Sequence, residues 1–240
     1  MARLLLLETA TEACSVALAL DGEIVALAEE TTTTNCAARL TLLIEACLRQ
    51  AHHTLRQLDA LAVSGGPGSY TSLRVGVSTA KGIGYALDKP LIAVPTLQAL
   101  AFAAQQRVPA DPPVRYVSML DARRQEVWMA IFDEQLQPLC PAQPFILDER
   151  WPQRLHALAP QTPPETLWLC AGNGCGKIPP ETLDSHLQKS PITACSATYL
   201  AHLAEQRYHN RAWEDLAYYE PFYMKPPNIT TPKKALLSGP

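Results

Sequence analysis

The sequence predicts an α/β protein of two lobes, each built on a mixed sheet flanked by helices. Three observations carry that prediction. A buried strand at 59–64 runs into Gly65-Gly66-Pro67-Gly68-Ser69, then a helix over 72–87 and a strand at 91–94. This strand–turn–helix–strand order makes part of a sheet parallel. A β-hairpin opens each half, and in both the first strand ends in an acid, Glu8 and then Asp121. Between the halves lies Arg107-Val108-Pro109-Ala110-Asp111-Pro112-Pro113, a breaker-rich stretch suited to a linker.

The elements follow in order. Residues 4–8 are an apolar strand closing on Glu8, 9–13 a turn, and 14–20 a returning strand. Asp21-Gly22 signals a tight hairpin, because both residue types tolerate the left-handed backbone of a type I′ turn. A third strand at 23–29 completes a meander. Asn35 caps a helix over 36–52, its side chain able to accept from a free backbone N–H. Within that helix Leu40, Leu43, Ile44, Cys47 and Leu48 recur at helical spacing. A third helix covers 96–106. Beyond the linker, strands at 114–120 and 126–132 enclose Asp121-Ala122-Arg123-Arg124-Gln125, which repeats the opening layout and suggests a duplication. Then come a Pro-rich connection, a helix at 148–159, a strand at 167–170, and a turn into helix at Gly172-Asn173-Gly174-Cys175-Gly176. The last helix is 197–208. The lobes are thus expected at 1–108 and 113–220, the last helix free to pack back on the first lobe. The Pro- and Lys-rich tail, 221–240, reads as loose.

Composition narrows the function class. Hydrophobic residues make up 48% and charged ones 18% of 240, enough for packed cores. Glu8 and Glu12 interrupt the apolar N-terminus too early for a secretory signal. No apolar run reaches the roughly 18–20 residues of a membrane span. A cytoplasmic protein with no membrane partner is expected. Seven cysteines with no Cys-x-x-Cys pair read as free thiols, not as a disulfide framework or a metal site. Net charge is −3, and only Arg123-Arg124 and Lys233-Lys234 are adjacent basic pairs. A chain without a basic stripe does not grip a nucleic-acid backbone alone. If it serves RNA chemistry, another subunit holds most of the RNA.

Two sets of residues are candidates for function. Gly66 and Gly68, in a turn that precedes a helix, could cradle an anion, since such turns expose backbone N–H groups. The glycine loop lacks the Lys-Ser/Thr ending of a P-loop, and Pro67 removes one donor. A tight structural turn explains the glycines as well, and a turn-ordering carboxylate explains each acid. The second set lies on two helices. Gly76, Ala80 and Gly84 recur every four residues and form one stripe with Thr79 and Ile83 beside it. Glycine in a helix interior costs about 1 kcal/mol against alanine, usually offset by close approach of another element, internal or from a partner. With Leu40, Leu43 and Cys47 these residues suggest a helix-bundle interface. Cys36 at a helix start could have a lowered thiol pKa, but no histidine adjoins it.

Leu7-Glu8-Thr9-Ala10-Thr11-Glu12-Ala13-Cys14-Ser15-Val16-Ala17, the block from Ser64 through Gly76 with Ala80-Lys81-Gly82, and Leu91-Ile92-Ala93-Val94-Pro95-Thr96-Leu97 resemble the TsaB (YeaZ) family. The hairpin from Asp121 to Val127 does so too. The resemblance is dense to about residue 100 and thinner afterwards. It implies a two-lobed actin-like ATPase fold, with Glu8, Thr9, Gly66, Gly68, Asp121, Gly172 and Gly174 at a degenerate nucleotide cleft, and kinship with TsaD, the catalytic subunit of tRNA threonylcarbamoylation. It further implies a non-catalytic scaffold needing no cofactor. Such a scaffold would bind a TsaD-like subunit and, with a TsaE-like ATPase, support transfer of threonylcarbamoyl to adenosine 37 of tRNA. The tRNA would be held indirectly, through the complex. TsaB-like proteins pair with TsaD, or with themselves when alone, through the two helices named above. TsaD carries a His-x-x-x-His metal pair where this chain has Thr96 and Leu100, and these side chains cannot replace it. The chain departs from the family at Asn35-Cys36-Ala37, where Asn-His-Ala is usual, and at Tyr70-Thr71-Ser72, where glycine usually ends the triplet. Two other classes stay open: a nucleotide-dependent kinase or hydrolase using Glu8 and Asp121, and a metalloprotease, for which no His-Glu-x-x-His helix is present. Leu43→Asp or Gly76→Leu is predicted to abolish the heterodimer and leave the monomer folded.

Overall fold

The structure, a computed structural model, describes residues 2–31, 35–107 and 113–225. Strands β1 (Arg3–Glu8), β2 (Cys14–Leu20) and β3 (Glu23–Glu30) form an antiparallel meander. Beyond β1, β4 (Ala60–Ser64) and β5 (Leu91–Val94) add in parallel, giving the order β3-β2-β1-β4-β5. The second sheet repeats this winding. Its meander is β6 (Val114–Asp121), β7 (Glu126–Phe132) and β8 (Pro138–Ile146), with β9 (Leu167–Ala171) and β10 (Leu187–Lys189) parallel beyond β6. Both sheets are therefore mixed and wound alike.

Among the described residues five α-helices layer these sheets: α1 (Cys36–Gln50), α2 (Tyr70–Leu87), α3 (Thr96–Gln105), α4 (Trp151–Leu158) and α5 (Ala201–His209). Leu4, Leu5, Leu6 and Leu7 are all fully buried because β1 is a central strand covered on both faces. Alternation sends Leu5 and Leu7 toward α1 and α2, where they pack with Leu40, Ile44, Cys47 and Val77. Leu4 and Leu6 point the other way, into a core shared with Leu97 and Leu100 of α3 and Leu203 of α5. That core continues through Tyr116, Trp128 and Leu169 of the second sheet, so α3 and α5 lie between the two sheets. Trp151 and Leu155 of α4 close the outer face of the second sheet against Val117, Met129 and Trp168. No helix among the described residues is long and apolar enough to cross a membrane.

Local signals act as expected at several ends. Asp21 and Gly22 take φ of 50° and 82°, as a type I′ turn requires. The Asn35 side chain accepts from the Ala38 N–H at 3.1 Å. Helix α2 starts at Tyr70 rather than 72, because Ser69 is its cap and accepts from the Ser72 N–H. Ser72 is thus helical and needs no left-handed conformation. Asp59 lies outside β4 and instead pairs with the Arg3 guanidinium at 3.0 Å. Helix α1 is shorter than expected, ending at Gln50, and His52 stands at φ 55° beyond it.

Other expectations are corrected. The Pro-rich connection is strand β8, which carries Pro138, Pro141 and Pro144 at the edge of its sheet, where missing N–H donors are tolerated. The three-residue edge strand β10 gave no periodic signal. Gly172-Asn173-Gly174 leads into one short 3-10 turn, Asn173–Lys177, not a long helix. The last helix begins with a 3-10 turn, Ala197–Leu200, before α5, which lies against β1, β3 and β5 of the first sheet. The tail is not loose at its start. Residues 221–225 are held, with the Phe222 N–H donating to Gly65 O at 2.8 Å. Residues 226–240 and 108–112, most of the expected linker, lie outside the described residues.

Candidate functional site: an interlobe cleft and a helical groove

The cleft between the hairpin turns of the two sheets has a volume of about 1000 Å³. Thr11 and Glu12 come from the β1–β2 turn, Gly68 to Ser72 from the glycine loop and the start of α2, and Asp121 to Arg123 from the β6–β7 turn. Trp128, Asn173, Tyr223, Met224 and Lys225 complete the wall. The cleft thus gathers aromatic and basic side chains from distant segments. Sequence reasoning missed Tyr70, Trp128, Tyr223 and Lys225, since nothing local joins them.

Glu8 and Thr9 do not line this space; both are 1% exposed. The Glu8 carboxylate accepts from the Ala10 N–H at 2.6 Å and so orders the turn. Burial pushes its pKa from the ordinary 4.5 up to about 7, against the opposing pull of hydrogen bonds from Ala10, Ser64 and Thr9. The Thr9 N–H donates to Ser64 Oγ at 3.2 Å. Asp121 does face the cleft, but its carboxylate accepts from the Arg123 N–H and pairs with Lys177. The two acids are therefore not presented together to one ligand.

The glycines are explained by close packing of the chain on itself. At Gly66, φ is +100° and a Cβ would lie 2.5 Å from Phe222 O. At Gly68 a Cβ would lie 2.5 Å from Ala10 O, because the loop seats directly on the β1–β2 turn. The loop's donors are also engaged: Gly65 N–H to Val94 O at 2.7 Å, Gly66 N–H to Thr96 Oγ1 at 3.2 Å, and Ser69 N–H to Ala10 O at 2.7 Å. Gly172, at φ +107°, and Gly174 let the 3-10 turn press on Met119, whose carbonyl would sit 2.2 Å from a Cβ at 172. Thr96 is buried and spent on the loop, and buried Leu100 packs against Gly172. Among the described residues no group of three or more His, Cys, Asp or Glu is placed to hold a metal.

A second concavity, about 550 Å³, runs between α1 and α2. Thr41, Ile44, Glu45, Leu48 and Arg49 of α1 form one wall, Thr79 and Ile83 of α2 the other, and His53 and Leu55 one end. Of the predicted interface residues only Thr79 and Ile83 reach it. Leu40 and Cys47 are fully buried, and the Cys47 thiol hydrogen-bonds Ala26 O at 3.7 Å. Leu43 is 7% exposed and belongs to the same core. The glycine stripe also needs correcting, because its close neighbours are internal. A Cβ at Gly76 would lie 2.3 Å from Thr9 Oγ1, and one at Gly84 would lie 2.9 Å from Lys89 O and 3.1 Å from Leu216. Ala80 is fully buried. Leu43→Asp and Gly76→Leu would therefore damage the monomer itself. At the start of α1, Cys36 is nearly buried beside Cys14. Their hydrogen bond lowers the Cys36 pKa and raises that of Cys14.

The family described as TsaD, tRNA N6-adenosine threonylcarbamoyltransferase, matches residues 29–143. The chain is 41% identical over 130 residues to a Haemophilus influenzae protein named tRNA threonylcarbamoyladenosine biosynthesis protein TsaB, covering 53% of this chain and 52% of that one. The Escherichia coli protein of the same name is 35% identical over 128 residues, covering 53% of this chain and 54% of that one. The chain thus spans about half the length of the curated relatives it matches. A solved structure titled YeaZ from Pseudomonas aeruginosa is 28% identical, covers 93% of this chain and 100% of its own, and has a TM-score of 0.73. Component A of the Acidaminococcus fermentans (R)-2-hydroxyglutaryl-CoA dehydratase, at 15% identity over 88% of this chain and 100% of its own, shares the fold with a TM-score of 0.51. In sequence over about half its length, and in fold over nearly all of it, the chain is similar to TsaB (YeaZ) proteins, and its two similarly wound mixed sheets are those of the two-lobed actin-like ATPase fold.

Proposed function

We propose that this chain is an accessory, non-catalytic subunit in the formation of threonylcarbamoyladenosine on tRNA. It docks a TsaD-like catalytic subunit, works with a TsaE-like ATPase in the cytoplasm, and meets tRNA only through that complex. The observation that carries this reading is the apolar groove between α1 and α2, open at the surface and walled by Ile44, Leu48, Thr79 and Ile83. An exposed apolar concavity of that size is suited to receive a partner helix. In the isolated protein a second copy would fill the same groove. Thr79 and Ile83 are half-buried; Thr79→Arg alters the groove at its surface, and Ile83→Glu replaces a side chain that rests on the rim of the core. Each variant should remain folded and lose co-elution with the TsaD-like subunit. Wild-type co-elution of both would refute the groove as the docking site.

One observation favours a second reading, a nucleotide-dependent kinase or hydrolase. The interlobe cleft, at about 1000 Å³, is large enough for a nucleotide. ATP hydrolysis by the isolated chain, or a nucleotide-dependent rise in its melting temperature, would establish that reading. Neither is expected of the accessory subunit.

A further inference from the structure

We propose that the segment 221–225 is a built-in strap that walls one side of the interlobe cleft, seats on the glycine loop and ties the first lobe to the second through Lys225. The proposal stands apart from the partner reading and rests on a continuous series of contacts. After α5 the chain returns along the first lobe, where the Glu214 N–H donates to Leu91 O at 2.8 Å in an antiparallel bridge. The Lys81 ammonium of α2 then donates to the carbonyls of Ala217 and Tyr219, at 2.9 and 3.2 Å. Next the Phe222 N–H donates to Gly65 O at 2.8 Å, directly on the glycine loop. The Tyr223 ring lies 4.5 Å from that of Tyr70 at the start of α2. Finally Lys225 pairs with Glu126, and its ammonium stands 5.0 Å from the centroid of the Trp128 ring, both residues of β7.

The glycine loop fits this occupant closely. A Cβ at Gly66 would meet Phe222 O at 2.5 Å, and one at Gly65 would meet the Tyr219 hydroxyl at 2.8 Å. Absence of side chains at 65 and 66 thus admits the Phe222 carbonyl of the strap and the Tyr219 phenol just before it. Glycines in such loops elsewhere let a phosphate approach the backbone; here that approach is taken by the protein's own chain. The sequence does not show this, because the strap and its receptor are about 155 residues apart by simple position. A ligand approaching the Gly65–Gly66 backbone would have to displace the strap, and departure would also release Lys225 from β7. Exposure of the Gly65–Gly66 backbone and loss of the Lys225 tie are therefore one event.

Hydrogen exchange followed by mass spectrometry and NMR on the full chain tests the strap. In the wild type the Phe222 amide should be protected by at least about a hundredfold relative to an open chain. In a Tyr223→Ala/Lys225→Ala variant, exchange of the β6–β7 turn, residues 121–126, should rise by at least about threefold, with β1 and β4 unchanged. Glu126→Gln removes the other member of the ion pair, alters only a partly exposed side chain, and should raise exchange in the same turn. Open-chain exchange at Phe222 in the wild type would overturn the proposal. A change below about threefold in the turn for both variants would overturn it equally.

Discussion

Burial keeps the Glu8 carboxyl largely protonated until the pH approaches about 7, although it ends a strand beside a surface turn. The sign of the linkage follows from the direction of the shift. Below about 4.5 the group is protonated in both folded and unfolded chains, and its contribution to stability is fully present. As pH rises, the unfolded chain ionises first, and the contribution is lost through the folded pKa near 7. The whole interval corresponds to about 3 kcal/mol. Glu8→Gln keeps an acceptor for the Ala10 N–H and cannot ionise. Urea unfolding at pH 5 and pH 8 should show the wild type losing on the order of 2–3 kcal/mol more than the variant over that range. Parallel pH dependence in the two proteins would contradict this account. The position of Glu8 at a strand end was legible, because a polar turn follows an apolar run. Its burial was not, since Ser64 and the loops that cover it come from far along the chain.

At the scale of elements, each glycine's worth depends on what stands opposite it. Gly68 seats against the Ala10 backbone at a distance no Cβ can enter, whereas a Cβ at Gly82, on the exposed side of α2, would meet nothing within 4 Å. Gly68→Ala should therefore cost about 1–3 kcal/mol by overpacking. Gly82→Ala should instead stabilise by roughly 0.5–1 kcal/mol, through helix propensity and a less flexible unfolded chain. Equilibrium denaturation of the pair reads the opposite signs directly, and a loss at both positions would show that α2 is packed differently. Strands β1, β2, β5 and β7 were legible because apolar runs bounded by turn residues have few other uses. Strand β8 was obscured by its three prolines, which only an edge position permits. The helical stripe Gly76–Ala80–Gly84 was correctly located. Its cause was open in the sequence, since Thr9 and Leu216 answer it from inside the same chain.

For the whole molecule, the repeated winding of the two sheets follows from a repeated sequence layout: meander first, parallel strands after. That layout was legible in the two acid-ended hairpins even though residue identity between halves is slight. It puts the hairpin turns across from each other and so creates a cleft. The cleft's present lining is a tertiary matter, drawn from the glycine loop, the β6–β7 turn and the returning strap. The groove between α1 and α2 was half legible. Amphipathic spacing located the helices, but which residues face outward depends on how α1 sits over β2 and β3 and α2 over β4. Thr79 and Ile83 are accessible there, while Leu40 and Cys47 are not.

The accessory role is tested most directly by reconstituting tRNA threonylcarbamoylation from threonylcarbamoyl-adenylate, a TsaD-like subunit and a TsaE-like ATPase, with and without this chain. The account predicts strict dependence on the chain, no product from the chain alone, and loss of the stimulation with Ile83→Glu. Full modification in its absence would contradict the account.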